Sequence, residues 1–282
     1  MQADSILAVL TGVAYVAAGL LLALSYYHSR PVLRTISLAL ALLSIAGHAL
    51  IVWQNLATPL GWDVNFINIL ALASLIVMVL LLLSSIGTQM LEAAVIALPG
   101  AALCVWLVGL SSPSPVILTR LAPMVEVHVF SSLLAYALLS IAAMVAILLA
   151  IQEHLLRHPR TIRHLELLPP LAVLETLMFR MIMGGWLVLT ASVITGLTFV
   201  ENLLAQHLVH KTILTILSWV LFGLLLAGRW WYGWRGRRAI HLTLIAMLVL
   251  ILGYFGSKFV LEVILDRTWF TVPEGASTIA DG

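Results

Sequence analysis

Four of the nine histidines in this sequence stand where they could bind a metal ion. His48 lies inside a long apolar stretch, His128 begins another, and His207 and His210 belong to a polar interruption between two such stretches. Two neutral imidazoles on different helices can ligate a haem iron from opposite sides, and the same side chains could bind Zn²⁺ or Cu²⁺. The residues alone leave these alternatives open, together with the simpler one of solvated or hydrogen-bonded histidines.

The residues that follow His128 favour close approach to its helical face. On a helix, Ser131, Ser132, Ala135 and Tyr136 continue that face at spacings of three, four, seven and eight residues. These small and polar side chains would let a flat ligand lie against the helix. They would equally let a neighbouring helix pack closely.

His48 and two further ionisable residues, Lys258 and Glu262, lie in apolar surroundings. An ionisable group within a span, such as His48, is a functional hypothesis by default; the alternative is a histidine that hydrogen-bonds to a neighbouring helix. Lys258 and Glu262 are four residues apart and could pair along one helical face. Lys258 could instead meet an anionic ligand, such as a propionate.

Motifs of the common enzyme classes are absent from the sequence. There is no HExxH, GxSxG, Walker or Rossmann pattern. Cys104 is the single cysteine, which excludes an intramolecular disulfide and a thiolate metal cluster. We therefore expect that the protein is not an enzyme. We also expect no nucleic-acid binding, because the basic residues fall in short groups beside apolar stretches.

The composition is that of a membrane protein. Of 282 residues, 62% are hydrophobic and 9% are charged, whereas a soluble domain carries about 25% charged residues. Several apolar runs approach the length of about 20 residues that crosses a bilayer. We predict one all-α integral membrane domain over residues 1–282, a polytopic bundle of about eight transmembrane helices. The predicted spans are Ile6–Tyr27, Val32–Trp53, Phe66–Ile86, Leu91–Leu110, Met124–Gln152, Phe179–Asn202, Thr212–Arg229 and Ile240–Leu265.

The distribution of arginine predicts the orientation of this bundle. Arginines cluster after spans 1, 5 and 7, and such loops are cytoplasmic by the positive-inside rule. Both termini are then outside, as are His128 and the polar stretch that contains His207 and His210. The N-terminus has no basic region, so we expect no cleaved signal peptide. The arginines are Arg30, Arg34, Arg157, Arg160, Arg163, Arg229, Arg235, Arg237 and Arg238.

Three segments outside the spans are singled out by their composition. Residues 153–178 are predicted to form a cytoplasmic loop with a short interfacial helix, because Pro169 and Pro170 interrupt the pattern. Residues 266–282 are predicted to be an external C-terminal tail. The aromatic and basic cluster at residues 230–235 favours an interfacial anchor in the lipid bilayer, and a headgroup or partner site is the alternative.

Four segments of the chain carry a resemblance to a known family. They are Val127-His128-Val129-Phe130-Ser131-Ser132-Leu133-Leu134-Ala135-Tyr136-Ala137, Leu168-Pro169-Pro170-Leu171 with the residues up to Gly196, His210-Lys211-Thr212 with Ser218-Trp219 and Gly233-Trp234-Arg235-Gly236-Arg237-Arg238-Ala239, and Tyr254-Phe255-Gly256-Ser257-Lys258-Phe259. Through them the chain from about Val127 to Leu265 resembles the cytochrome c assembly family of haem-handling membrane proteins (CcsA and CcmC type), most closely its short YpjD/HemX-like branch. The N-terminal half is similar mainly in the layout of its spans and in His48.

The resemblance implies a haem-binding protein of the bacterial inner (plasma) membrane that acts in haem trafficking or cytochrome c maturation. Its cofactor would be haem b, with His128 as an external iron ligand and Lys258 or Lys211 near the propionates. His48 would ligate a second, deeper haem or line its path. Haem, the lipid bilayer and other cytochrome c maturation or membrane subunits are the implied partners.

The sequence departs from the family pattern at the polar stretch. Haem-exporting members carry a tryptophan-rich external signature that ends in Trp-Asp-Pro-Lys-Glu-Thr, whereas this chain has His207-Leu208-Val209-His210-Lys211-Thr212. The second external histidine of the family, expected after Tyr254-Phe255-Gly256, is not found. His210 or His207 is therefore the predicted second iron ligand.

Two other function classes stay open at this point. One is a transport-associated or regulatory membrane subunit without haem, in which the histidines are polar packing groups. The other is a histidine-based proton or metal-ion transporter, which has less support because no aspartate accompanies His48 within the spans.

Overall fold

Eight helices dominate the architecture. The computed structural model describes residues 3–59, 61–86, 91–111, 116–118, 123–156, 170–199 and 206–260. Eight helices in this part of the chain are long and apolar enough to cross a membrane, which confirms the predicted helical bundle. They are built on α1 (Ala3–His28), α2 (Pro31–Leu56), α3 (Phe66–Ser85), α4 (Ala94–Leu110), α5 (Pro123–Leu156), α6 (Leu171–Phe199), α7 (Gln206–Tyr232) and α8 (Arg237–Ile251). The span of α4 includes the preceding turn from Leu91, and the span of α8 continues to Phe259.

The helices connect at two ends of the bundle. One end contains the α2–α3, α4–α5 and α6–α7 connections and is called the His128 end. The other contains the α1–α2, α3–α4, α5–α6 and α7–α8 connections and is called the arginine end. α8 continues towards the His128 end through a π-helical turn (Leu252–Gly256) and a final turn, α9 (Ser257–Phe259). Which end faces outwards stays a prediction.

α5 is the central helix of the C-terminal part. It packs against α3, α6 and α8, whereas α1 packs against α2 and α4. Small side chains make these contacts close: Ala142 and Ala146 on α5 are fully buried. A Cβ atom added to Gly185 of α6 would lie 2.7 Å from Cγ of Leu139 on α5. Such close approach between helices is typical of packing inside membranes.

The structure starts α6 earlier than the sequence predicts. Residues 171–178 continue the membrane helix, so they are not a separate interfacial helix within a loop. The physical reason is that Pro170 begins the helix: its carbonyl oxygen accepts hydrogen bonds from the N–H groups of Val173 and Leu174, at 2.8 and 3.3 Å. Proline is well tolerated at such a start. The intervening residues 157–169 and the predicted tail 266–282 lie outside the described residues.

A small antiparallel sheet lies at the His128 end, where only helices and loops were predicted. It has the order β1 (Ala57–Thr58), β2 (Gly61–Asp63) and β3 (Ile117–Leu118). Asp63 is its anchor, because one carboxylate oxygen accepts from the N–H groups of Val116 (2.8 Å) and Asn65 (3.2 Å). The sheet thereby joins the α2–α3 and α4–α5 connections.

Candidate functional site

His128 is held in one orientation by helix α6. Its Nδ1 atom lies 2.9 Å from the backbone carbonyl oxygen of Ser192 and 3.4 Å from Oγ1 of Thr195. A carbonyl oxygen only accepts hydrogen bonds, so Nδ1 carries the hydrogen atom of the neutral ring. Nε2 then keeps the lone pair that a metal ligand needs, and metal-binding histidines are commonly oriented in this way.

Small residues of α5 and α6 let this histidine lie against α6. A Cβ atom added to Gly196 would lie 2.9 Å from Cε1 of His128, so the ring occupies the space that a side chain would take. Ser132 donates to the carbonyl oxygen of His128 at 2.7 Å, and its Oγ atom lies 2.6 Å from Oγ of Ser192. Ser132 of the predicted polar stripe therefore contributes to helix packing.

Two lysines lie in the same region. The ammonium group of Lys211, at the start of α7, is 4.8 Å from the centre of the Tyr254 ring. Lys211 lies within electrostatic reach of His128, and Lys258 lies within electrostatic reach of Lys211. Lys258 is buried, with 5% of its surface exposed. The structure thus brings His128, Lys211 and Lys258 into one neighbourhood, whereas Glu262 lies outside the described residues.

The π-helical turn places two aromatic residues, Tyr254 and Phe255, beside the lysines. The rings of Tyr136 and Tyr254 have their centres 5.8 Å apart, and Tyr136 and Phe255 are 5.6 Å apart. Phe66 of α3 meets Phe255 at 6.2 Å. Single π-helical turns frequently occur at functional sites. This one places two consecutive aromatic residues between α3, α5 and α7.

A pair of tryptophans joins α6 to α7 deeper in the bundle. The rings of Trp186 and Trp219 are stacked, with centres 5.6 Å apart. Nε1 of Trp186 donates to the carbonyl oxygen of Trp219 at 3.0 Å, and Nε1 of Trp219 donates to Oγ1 of Thr190 at 2.8 Å. Both indole donors are therefore satisfied within the protein, as burial among apolar groups requires.

His48 occupies a separate place in the N-terminal part. It is fully buried on α2, and its Nδ1 atom lies 3.2 Å from the hydroxyl oxygen of Tyr15. Among the described residues, Nε2 has no well-formed hydrogen bond and lies near the backbone of Ala71. α2 packs on α1 and α3, whereas His128 packs on α6. The structure therefore does not bring His48 and His128 together.

The two remaining candidate histidines belong to the first turns of α7. The helix begins at Gln206, so the backbone of His207 and His210 is helical, not a polar loop. Their side chains lie outside the described part of the structure, and their role as iron ligands stays a prediction. Within the described residues, no group of three histidine, cysteine or acidic side chains could hold a metal ion.

Glu92 is a buried ionisable group that the sequence did not indicate. It lies at the α3–α4 junction with 6% of its surface exposed, and Tyr26 of α1 donates to its Oε1 atom at 3.1 Å. Its Oε2 atom is buried and has no hydrogen-bond partner among the described residues. A charge at the end of a predicted span, as Glu92 is in span 4, is ordinarily interpreted as solvated. The apolar residues on both sides, from Leu91 to Ile96, were the signal for burial.

Comparison with known proteins gives a family and distant relatives. The family described as "Cytochrome C assembly protein" matches residues 36–265. The "Inner membrane protein YpjD" of Escherichia coli K12 is 36% identical over 142 residues, which are 50% of this chain and 54% of that protein. An "Uncharacterized 28.8 kDa protein in nifR3-like 5'region" of Azospirillum brasilense is 35% identical over 143 residues, 50% of this chain and 53% of that protein.

These matches define how far the likeness extends. The chain spans about half the length of the curated relatives it matches. No solved structure matches it. The predicted family is thereby confirmed, and the name of the Escherichia coli relative agrees with the predicted branch and with a multi-pass location in the inner membrane.

Proposed function

This chain belongs to the cytochrome c assembly protein family, and on that premise we propose that it binds haem b at the His128 end and acts in haem trafficking or cytochrome c maturation. The proposed partners are haem itself and other cytochrome c maturation or membrane subunits. Bound haem would supply an iron atom whose redox state and ligation the protein controls.

The observation that carries this proposal is the orientation of His128. Because Nδ1 donates to the carbonyl oxygen of Ser192, Nε2 is the nitrogen that is ready to bind iron. Gly196 lies beside the His128 ring, and because glycine has no side chain the ring can pack against α6 at this point.

The surrounding side chains have the chemistry that a haem requires. Haem carries two carboxylates on an apolar ring; Lys211 supplies a positive charge near His128, and Lys258 supplies a second one near Lys211. Tyr136, Tyr254 and Phe255 supply flat apolar surfaces in the same region. We assign the carboxylates to the lysines by charge complementarity. His210, with His207 as the alternative, is the proposed second iron ligand.

His48 has a weaker claim to a second haem. Its buried Nε2 atom has no well-formed hydrogen bond among the described residues. However, the cavity that reaches Ile45, one helical turn away, has room for about one water molecule. A haem at His48 would therefore require helices α1 to α4 to separate.

The optical spectrum of the purified full-length protein tests the proposal. We expect a Soret band from protein made in haem-supplied cells, and a loss of about tenfold or more of that band in His128→Ala. His241→Ala is the matched control, because His241 is exposed near the arginine end; its band should equal that of the wild type. Unchanged haem content in both His128→Ala and His210→Ala would refute the ligand assignment.

A second candidate function is a transport-associated or regulatory membrane subunit without haem. The specific observation that favours it is the replacement of the family's tryptophan–aspartate signature by the stretch from His207 to Thr212. Ser132 also serves helix packing, as this alternative expects. Protein that is colourless after production in haem-supplied cells, and whose spectrum does not change in a haem titration, would favour this alternative.

A further inference from the structure

The arginine end carries an exposed aromatic surface at the end of a membrane helix. Trp230, Trp231 and Tyr232 close α7, and their exposed fractions are 84%, 79% and 76%. Large rings at the end of a transmembrane helix commonly lie at the level of the lipid headgroups. Arg235 and Arg238, which follow in the sequence, are also exposed. These five residues are called the tryptophan–arginine surface.

The backbone that presents this surface is a defined structure. Gly233 and Gly236 have φ angles of 64° and 57°, which favour glycine. Between them, Trp234 turns back onto α7: its N–H group donates to the carbonyl oxygen of Gly228 at 3.1 Å. Its ring fills the space where Gly228 has no side chain. The α7–α8 connection is therefore held in one conformation.

Not all of the positive charge at this end is used to stabilise the fold. Glu175 of α6 binds Arg229 at 2.9 Å, and Arg229 also donates to the carbonyl oxygen of Trp234 at 3.3 Å. Arg235 is a longer contact of the same carboxylate, at 3.9 Å, and 71% of its side chain is exposed. Since Arg229 already occupies Glu175, Arg235 keeps most of its five N–H donors for another acceptor.

Arginines also outnumber carboxylates on the α8 side of the connection. Arg237 pairs with Glu153 of α5 at 3.0 Å, and Arg238 adds a fourth guanidinium group. Among the residues that the structure describes around this connection, four arginines thus face two carboxylates. The excess of positive charge follows directly in the sequence on the three exposed aromatic rings.

We propose that the tryptophan–arginine surface binds the phosphodiester headgroup of an anionic phospholipid. The rings of Trp230, Trp231 and Tyr232 lie among the acyl chains and glycerol groups, and Arg235 and Arg238 bind the phosphate oxygens. Guanidinium groups match phosphate oxygens in bidentate geometry. This partner is independent of haem, and the site would anchor and orient the α7–α8 connection.

Lipid binding to the purified full-length protein, measured by native mass spectrometry, tests this proposal. The probes are phosphatidylglycerol and phosphatidylcholine with the same acyl chains. We expect the wild type to bind phosphatidylglycerol about tenfold more tightly or better, the size expected for two arginines near an anionic surface. In Arg235→Gln/Arg238→Gln the two affinities should come within about twofold of each other through weaker binding of phosphatidylglycerol.

The control removes two charges from a different surface of the same end. Arg30 and Arg34 are exposed at the α1–α2 connection, and Arg30→Gln/Arg34→Gln should keep the wild-type preference. Arg235→Lys/Arg238→Lys keeps the charge and should show an intermediate preference, and it replaces the glutamine variant if that variant does not fold. Equal affinities in the wild type, an unchanged preference in both Arg235/Arg238 variants, or an equal loss in the control would overturn the proposal.

Discussion

At the scale of single residues, the informative feature is how His128 is positioned rather than that it is present. Its spacing from Ser131, Ser132, Ala135 and Tyr136 could be read from the sequence, and so could the polar face that these residues form. The partner of its Nδ1 atom could not, because Ser192 is 64 residues away and its contribution is a backbone carbonyl. A main-chain group on a separate helix leaves no signal in residue types.

Gly196 gives a test of this positioning. In Gly196→Ala the new Cβ atom would lie 2.9 Å from Cε1 of His128, which is closer than carbon atoms approach. The ring must move, so we expect the haem content to fall by about tenfold. Gly184→Ala, on the same helix, is the control because its nearest neighbour would be 3.8 Å away at Leu138.

The measurement is the Soret absorbance per mole of purified protein, with helicity by circular dichroism as the check of folding. Equal haem content in Gly196→Ala and the wild type would show that the position of the His128 ring does not control binding. Equal losses in Gly196→Ala and Gly184→Ala would point to a general defect of α6.

At the scale of elements, the long helices followed from hydrophobicity because each needs about 20 apolar residues and satisfies its own backbone. The shorter elements depend on partners far away in the sequence. β2 pairs with β3 across 53 residues. Strands of two or three residues are too short to show an alternation of apolar and polar residues in the sequence. The start of α6 was missed for another reason: Pro169 and Pro170 were interpreted as a break, whereas Pro170 begins the helix.

Asp63 should be the residue on which the sheet depends. Its carboxylate accepts hydrogen bonds from the Val116 and Asn65 backbones and from the Asn65 side chain. Asp63→Asn places a donor against one of these donors, so we expect the free energy of unfolding to fall by about 1.5–3 kcal/mol. Thermal unfolding in one detergent measures this as a lower midpoint.

Glu126→Gln is the control for Asp63→Asn. Glu126 is an exposed carboxylate at the same end, and its replacement should change the free energy of unfolding by no more than about 0.5 kcal/mol. A midpoint for Asp63→Asn that equals that of Glu126→Gln would mean that the sheet does not stabilise the fold through Asp63.

At the scale of the whole molecule, the two ends of the bundle differ in chemistry. The His128 end holds the candidate haem site and the sheet, and the arginine end holds several guanidinium groups, of which Arg229 and Arg237 pair with Glu175 and Glu153. The sequence predicts which end faces the cytoplasm, because loops rich in arginine are retained there. The helical bundle itself is compatible with either orientation, so this prediction needs a test of its own.

The single native cysteine makes that test direct. Cys104 lies within α4 and is partly buried, so a Cys104→Ser background accepts one reporter thiol at a time. We expect Glu126→Cys, at the His128 end, to react with a membrane-impermeant maleimide added to intact cells, and Arg30→Cys, at the arginine end, to react only after the membrane is permeabilised. Both positions are exposed, so burial cannot explain a difference between them. The reverse pattern would put the candidate haem site on the cytoplasmic side, where haem would be received rather than delivered.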